Sequence, residues 1–167
     1  MLAVILGIAV PAAGGSLARN GSTEFAVSAT VVDNCVVSSK GIAFGIYDPG
    51  RASAATAQGS ITAKCTRGDA VSVSLNQGLH PGAGSTPAVP LRRMASGSRY
   101  LPYHIYLSPP PGNREWGSGT PGRFEPAPQV AAAVSAPLIF TTYGWLPPGI
   151  NVDAGQYVDI VTATVTF

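Results

Sequence analysis

Charge is scarce in this chain. Lys, Arg, Asp and Glu make up 11% of its 167 residues, ten basic against eight acidic, for a formal net charge of +2. Such a thin and balanced charge argues against a nucleic-acid binder with a basic face. With 46% hydrophobic residues it also excludes a disordered acidic chain. The pI near 8.7 reflects few acids rather than a basic patch. Cysteine and histidine are as sparse: Cys35, Cys65, His80 and His104 are insufficient for a structural zinc site, and no C-x-x-C redox pair is present. No G-x-S-x-G elbow and no phosphate-cradling G-x-x-x-x-G-K-[ST] loop occurs, and eight acids offer little for a carboxylate pair. Neither an enzyme activity nor a metal or cofactor is expected. After residue 18 no segment sustains apolar residues at i, i+3, i+4 and i+7, which argues against long helices, and no solenoid period or heptad appears.

What the chain has in quantity is glycine (20) and proline (15), spread without a Gly-X-Y period among Ala, Ser, Thr and Val. That mixture favours short strands joined by turns, and the length fits one domain with a real core. Residues 2–10, LAVILGIAV, form an apolar run too short to span a bilayer, followed by small residues that suit cleavage after Ala18. Residues 1–18 are therefore expected to be a secretory signal, although no Lys or Arg precedes the run. Export permits a disulfide, and Cys35 and Cys65 both sit in strand-like surroundings, VVDNCVVS and SITAKCTRG. A bridge between neighbouring strands there would be worth roughly 3.5 kcal/mol by the chain-entropy argument.

Period-two alternation recurs along the chain. It is clearest in YVDIVTATVTF at the end, where Val161, Ala163, Val165 and Phe167 share one face, and in FAVSATV, where Phe25, Val27, Ala29 and Val31 do. Further strands are expected at 35–38, 42–47, 59–65, 70–76, 100–107 and 137–142, separated by DPG, RGD, NQG, PPPGN and PPG turns. Arg67-Gly68-Asp69 is one of these turns. Residues 80–90 and 108–129 read as loops, the second holding Trp116, an aromatic that should pack somewhere. Seven or eight such strands suggest an antiparallel sandwich. Phe167 ends a well-patterned apolar strand, so the sandwich is expected to lack a closing strand and to expose a core groove that another chain must fill. Phe25, Val27, Ala29 and Val31 fit equally a strand donated to a neighbour and an ordinary first strand of this domain. Asp159 shares parity with Val161 and needs a partner if it points inward. Gly45, Gly144 and Gly155 are read as turn or bulge positions with positive φ. Tyr47, Tyr103, Tyr143 and Trp145 are read as core or turn aromatics rather than a sugar platform.

An ordered set of short motifs resembles the spore coat protein U domain family, which includes subunits of Csu-type archaic chaperone-usher pili. The set comprises Cys35 after an alternating strand, the FGIY of Phe44, Gly45 and Tyr47, ITAKCTRG around Cys65 and SVSLNQG before Gly78. It continues with RRM at 92–94, LPYHIYL around Tyr103, WGSG at 116–119 and the terminal block from Tyr143. Coverage runs from about residue 25 to the end. The resemblance implies an all-β fold: an incomplete immunoglobulin-like sandwich, completed by strand donation from a neighbouring subunit or a chaperone. It implies a disulfide between Cys35 and Cys65, a periplasmic chaperone, an outer-membrane usher and other pilus subunits as partners, and a fimbrial place at the cell surface. The expected organisation is signal 1–18, donor or first strand 19–32, and sandwich domain 33–167, with Val161, Ala163, Val165 and Phe167 forming the acceptor groove and chaperone-gripped strand. The expected function is a structural pilus subunit that polymerises by donor-strand exchange and supports adhesion and biofilm formation. A tip adhesin or lectin-like module presenting Trp116, and a spore or cyst coat component of the same fold, are the alternatives.

Overall fold

The computed structural model describes residues 20–110 and 114–167; the expected signal segment lies outside the described residues. No helix occurs among them. The strands are β1 (Cys35–Lys40), β2 (Ala55–Cys65), β3 (Ala70–Leu75), β4 (Arg92–Ser96), β5 (Arg99–Tyr106), β6 (Gln129–Val130), β7 (Leu138–Leu146) and β8 (Ala163–Thr166). They form a five-stranded sheet in the order β1-β2-β7-β5-β4 and a three-stranded sheet in the order β6-β3-β8, every pairing antiparallel.

Alternation decides which face each strand buries. Ile61, Ala63 and Cys65 of β2, Leu101, Tyr103 and Ile105 of β5, and Phe140 and Leu146 of β7 are buried, and Val71, Val73 and Leu75 of β3 close the core from the second sheet. Cys35 and Cys65 are directly paired at the open end of the β1/β2 ladder and joined by a disulfide, with Cα atoms 4.1 Å apart. The RGD tripeptide is the β2–β3 turn, with Gly68 at φ 99°.

Several sequence expectations need correction. Residues 42–47 form no strand: Gly45 takes φ 73°, Ile42 and Phe44 pack against the core, and Ile46 stays 95% exposed. A Cβ at Gly144 would meet Ile42 and Phe44 at 2.7 and 2.9 Å, so that glycine serves close packing on β7 and not a positive φ; Gly155 has no positive φ either. The terminal alternation is in strand only over Ala163–Thr166, with an isolated bridge from Val158 to Ala95. Strand β4 was not anticipated, because RRMAS carries no apolar alternation. Residues 20–34 hold no strand, and Phe25, Val27 and Val31 are more than 80% exposed. Trp116 is fully buried and donates its indole N–H to the Val73 carbonyl at 3.1 Å, so it cannot present itself to a ligand.

Candidate functional site

The two sheets leave a groove open along one side. β1 is an outer strand of the five-stranded sheet and β8 an outer strand of the other, and neither has a partner on its free edge among the described residues. Between them runs a groove of about 570 Å³, floored by Ile61, Leu75, Tyr103 and Ile105. One wall is β1, where Val37 and Ser39 stand opposite Ala63 and Ile61 and so face the core side of the sheet. Val37 is nevertheless 46% exposed. A core-facing valine left wet marks a stretch of core that no strand covers among the described residues. The other wall is the C-terminal segment, through Tyr157, Val161 and Ala163, all half-buried despite their inward parity. Val165 lies outside the groove, opposite Val73 on β3, and Phe167 is 52% exposed beyond the end of β8.

That second wall changes sheets along its length, and side chains fasten it where it has no ladder. Val158 exchanges backbone hydrogen bonds with Ala95 at 2.8 and 3.0 Å, on the side of the five-stranded sheet. Four residues later Thr162 is held by Asn76: its N–H donates to the Asn76 side-chain carbonyl at 2.9 Å, and its carbonyl accepts from the Asn76 N–H at 3.0 Å. Asp159 lies between these anchors. Its carboxylate accepts from the Tyr103 hydroxyl at 2.7 Å and from the Leu79 N–H at 2.9 Å, which gives the inward acid its partners. Burial first, then the neighbouring carboxylate, pushes the Tyr103 hydroxyl well above the usual phenol range, so it stays a donor. Gly78, at φ 76°, packs so closely on Asp159 that a Cβ would run into the carboxylate.

A buried cation braces the sheets behind the groove floor. Arg92, on β4, is fully buried and donates to the carbonyls of Asn76 (2.6 Å) and Trp116 (2.7 Å) and to Glu115 Oε1 (3.1 Å). Burial pushes its guanidinium below the ordinary arginine value and Glu115 opposes that shift. Glu115 also accepts from the Ile105 N–H at 3.1 Å and contacts His104 Nδ1 at 3.0 Å. Sequence inspection missed this network, because nothing in RRM marks the first arginine as the buried one. Parity at Asp159 was the one available signal for the Asp159–Tyr103 pair.

Placed together, these features define an all-β, immunoglobulin-like sandwich with one side left open between two unpaired strand edges. The chain belongs to the Spore Coat Protein U domain family, whose family model matches residues 22–164. Protein U of Myxococcus xanthus is 39% identical over 135 residues, covering 74% of this chain and 70% of that protein. Among solved structures, this chain is similar to one in the crystal structure of the CsuC-CsuE chaperone-tip adhesion subunit pre-assembly complex from archaic chaperone-usher Csu pili of Acinetobacter baumannii. The TM-score is 0.56 at 25% identity. The match covers 83% of this chain and 40% of that one, so the present chain spans less than half of the structural neighbour's length.

Proposed function

We propose that this chain is a structural subunit of a chaperone-usher pilus that polymerises by donor-strand exchange. The observation that carries the reading is the groove between β1 and the C-terminal segment, with an apolar floor and a free strand edge on each side. An extended strand laid there would hydrogen-bond to both edges and cover Val37 and Val161 at once, the strand-addition mode of recognition. The proposed donor is the segment 19–32 of the next copy. Phe25, Val27, Ala29 and Val31 recur every second residue, and six steps at about 3.3 Å give a reach of about 20 Å, comparable with the six-residue β1. A periplasmic chaperone occupies the groove before assembly, the outer-membrane usher exchanges it for the donor, and the fibre at the cell surface supports adhesion and biofilm formation. Val161 and Ala163 line the acceptor groove, while Val165 and Phe167 extend the strand that the chaperone grips.

The test is gel electrophoresis in detergent, with and without boiling, of the full chain secreted into an oxidising periplasm with its chaperone and usher. A ladder of subunit multiples that collapses on boiling is expected, because a buried donated strand leaves slowly. Deleting residues 19–32 should abolish the ladder yet leave a chaperone-bound, folded subunit. A ladder formed by that deletion variant would refute the donor assignment, and a soluble lone monomer needing no chaperone would refute the open groove.

A further inference from the structure

The outer face of the five-stranded sheet carries a feature the pilus reading does not use. Its outward positions on β5 and β7 are aromatic in two adjacent cross-strand rows, His104 opposite Trp145 and Tyr106 opposite Tyr143. The sequence reading of Tyr143 and Trp145 as core or turn aromatics fails here, since both lie half-buried on the outer face. His104 and Tyr106 stack with ring centres 5.4 Å apart and planes 5° from parallel, and Trp145 lies 5.4 Å from His104. Gln58 on β2, opposite Tyr143, extends the second row with an exposed amide. These rings stand on strands in the middle of a sheet, so they are held rigidly.

Beside this platform, and sharing His104 and Tyr106 with it, is a second cleft of about 380 Å³ walled by Leu91 and Phe124 and rimmed by Arg114 and Arg123. The volume falls within the range of about 300–1,000 Å³ typical of small-ligand sites. Its charge is one-sided. The Glu115 carboxylate is engaged from within by Arg92, His104 and the Ile105 N–H. Arg114 and Arg123 are exposed and form no ion pair among the described residues; Arg114 donates to the Gly122 carbonyl and Arg123 lies over the Phe124 ring, which fixes both heads at the rim. With Nδ1 committed to Glu115, the other ring nitrogen of His104 has no protein partner among the described residues.

We propose that this platform and cleft form a lateral binding site for a carboxylated saccharide, a uronate-containing glycan. The C–H face of a pyranose packs on an aromatic ring, here Trp145, tilted 49° and 45° from the stacked His104 and Tyr106 rings beside it. Its hydroxyls suit the His104 ring nitrogen and the Gln58 amide, and its carboxylate suits guanidinium forks, which bind carboxylates bidentately. A purely apolar partner would leave two arginines at the rim unanswered, and a neutral glycan would use only the platform.

The test is titration of the disulfide-bonded chain in its assembled, strand-donated polymer with trigalacturonate and, separately, with neutral cellotriose, followed by calorimetry and tryptophan fluorescence. Trigalacturonate should bind saturably and perturb Trp145, and cellotriose should bind about tenfold more weakly or worse. The double variant Arg114→Gln/Arg123→Gln should erase the preference for the acid. Trp145→Ala should weaken trigalacturonate about tenfold, whereas Trp145→Phe, which retains a ring and controls for folding, should stay within a few-fold of the parent. No saturable binding of trigalacturonate, or binding indifferent to both Trp145→Ala and the arginine pair, would overturn the proposal. So would sedimentation showing that Trp145→Ala disrupts an oligomer with no glycan bound, since that would assign the face to another copy of the chain.

Discussion

Replacing Glu115 by glutamine keeps the shape of the side chain and removes its charge, and the structure sets what this should cost. Arg92 is wholly enclosed, and Glu115 is the sole anion within ion-pair distance of it among the described residues. Breaking a buried pair by removing one partner leaves an uncompensated charge, at about 3–5 kcal/mol. The glutamine retains an oxygen for the Arg92 and Ile105 donors, which puts Glu115→Gln near the lower end, about 3 kcal/mol. Arg92→Met should cost about 4 kcal/mol, because the carbonyls of Asn76 and Trp116 lose their donor as well. With a urea slope of about 2 kcal/mol/M for a domain of this size, the Glu115→Gln midpoint should fall by about 1.5 M. Urea titration followed by tryptophan fluorescence is the natural assay, since Trp116 abuts the pair and becomes wet on unfolding. The decisive comparison is the double variant Arg92→Met/Glu115→Met, which removes both charges and should be clearly less destabilised than the sum of the single changes. A Glu115→Gln midpoint within about 0.3 M of the parent, or a double variant that costs the full sum, would refute the claim that Glu115 compensates a buried charge.

The remaining predictions concern the groove wall and the disulfide end. Asp159→Ala removes the acceptor for both the Tyr103 hydroxyl and the Leu79 N–H; it should cost about 2–3 kcal/mol and speed amide exchange in residues 157–162 ahead of the rest of the chain, and uniform exchange would count against the fastening role. Asp69 faces Asp33, one of its oxygens is buried without a partner, and desolvation followed by that like charge raises its pKa. The folded state then holds the proton to higher pH than the unfolded state, so this group's contribution falls as pH rises from about 4 through the raised folded value. Asp69→Asn should therefore raise the melting temperature at pH 7 and flatten its dependence over that window; a lowered melting temperature at pH 7 would show that the charge is favourable.

Legibility in the sequence tracked how local the physics was. β3, the inner half of β2, β5 and the first half of β7 were readable because each alternates over a sheet with one buried face, and a side-chain period of two leaves little choice of register. The Cys35–Cys65 pairing was suited by strand-like surroundings on both sides and implied by the family resemblance. β4 was not readable, since Met94 shares its inward face with an arginine whose burial depends on carbonyls from two other parts of the chain, Asn76 and Trp116. Trp116 was visible only as an aromatic needing somewhere to pack; its place against Val73 is fixed by backbone hydrogen bonds from Trp116 to Ile105 and from Leu75 to Gly117, partners distant in sequence. At Asp159, parity posed the problem of an inward acid, and the solution came from Tyr103 and Leu79, distant in sequence. The outer aromatic rows were hidden because the expected strand at 137–142 stops short of Tyr143 and Trp145, which have the composition of core residues; the same alternation carried on to Leu146 turns both outward.

The disulfide has a mechanical consequence. Cys35 is the first residue of β1, and it is tied covalently to Cys65 at the far end of β2. Tension applied through the residues before Cys35 crosses the sulfur bridge and continues from Cys65 into the β2–β3 turn. The intervening separation of 30 residues, which includes one whole wall of the groove, lies in a closed loop that tension applied between the two ends of the chain bypasses. Such a loop cannot be reeled out by pulling, which subtracts roughly 100 Å from the length the chain could yield, at about 3.4 Å per residue. In the proposed assembly a donated strand would thus be gripped by a wall that end-to-end tension on the chain does not peel away.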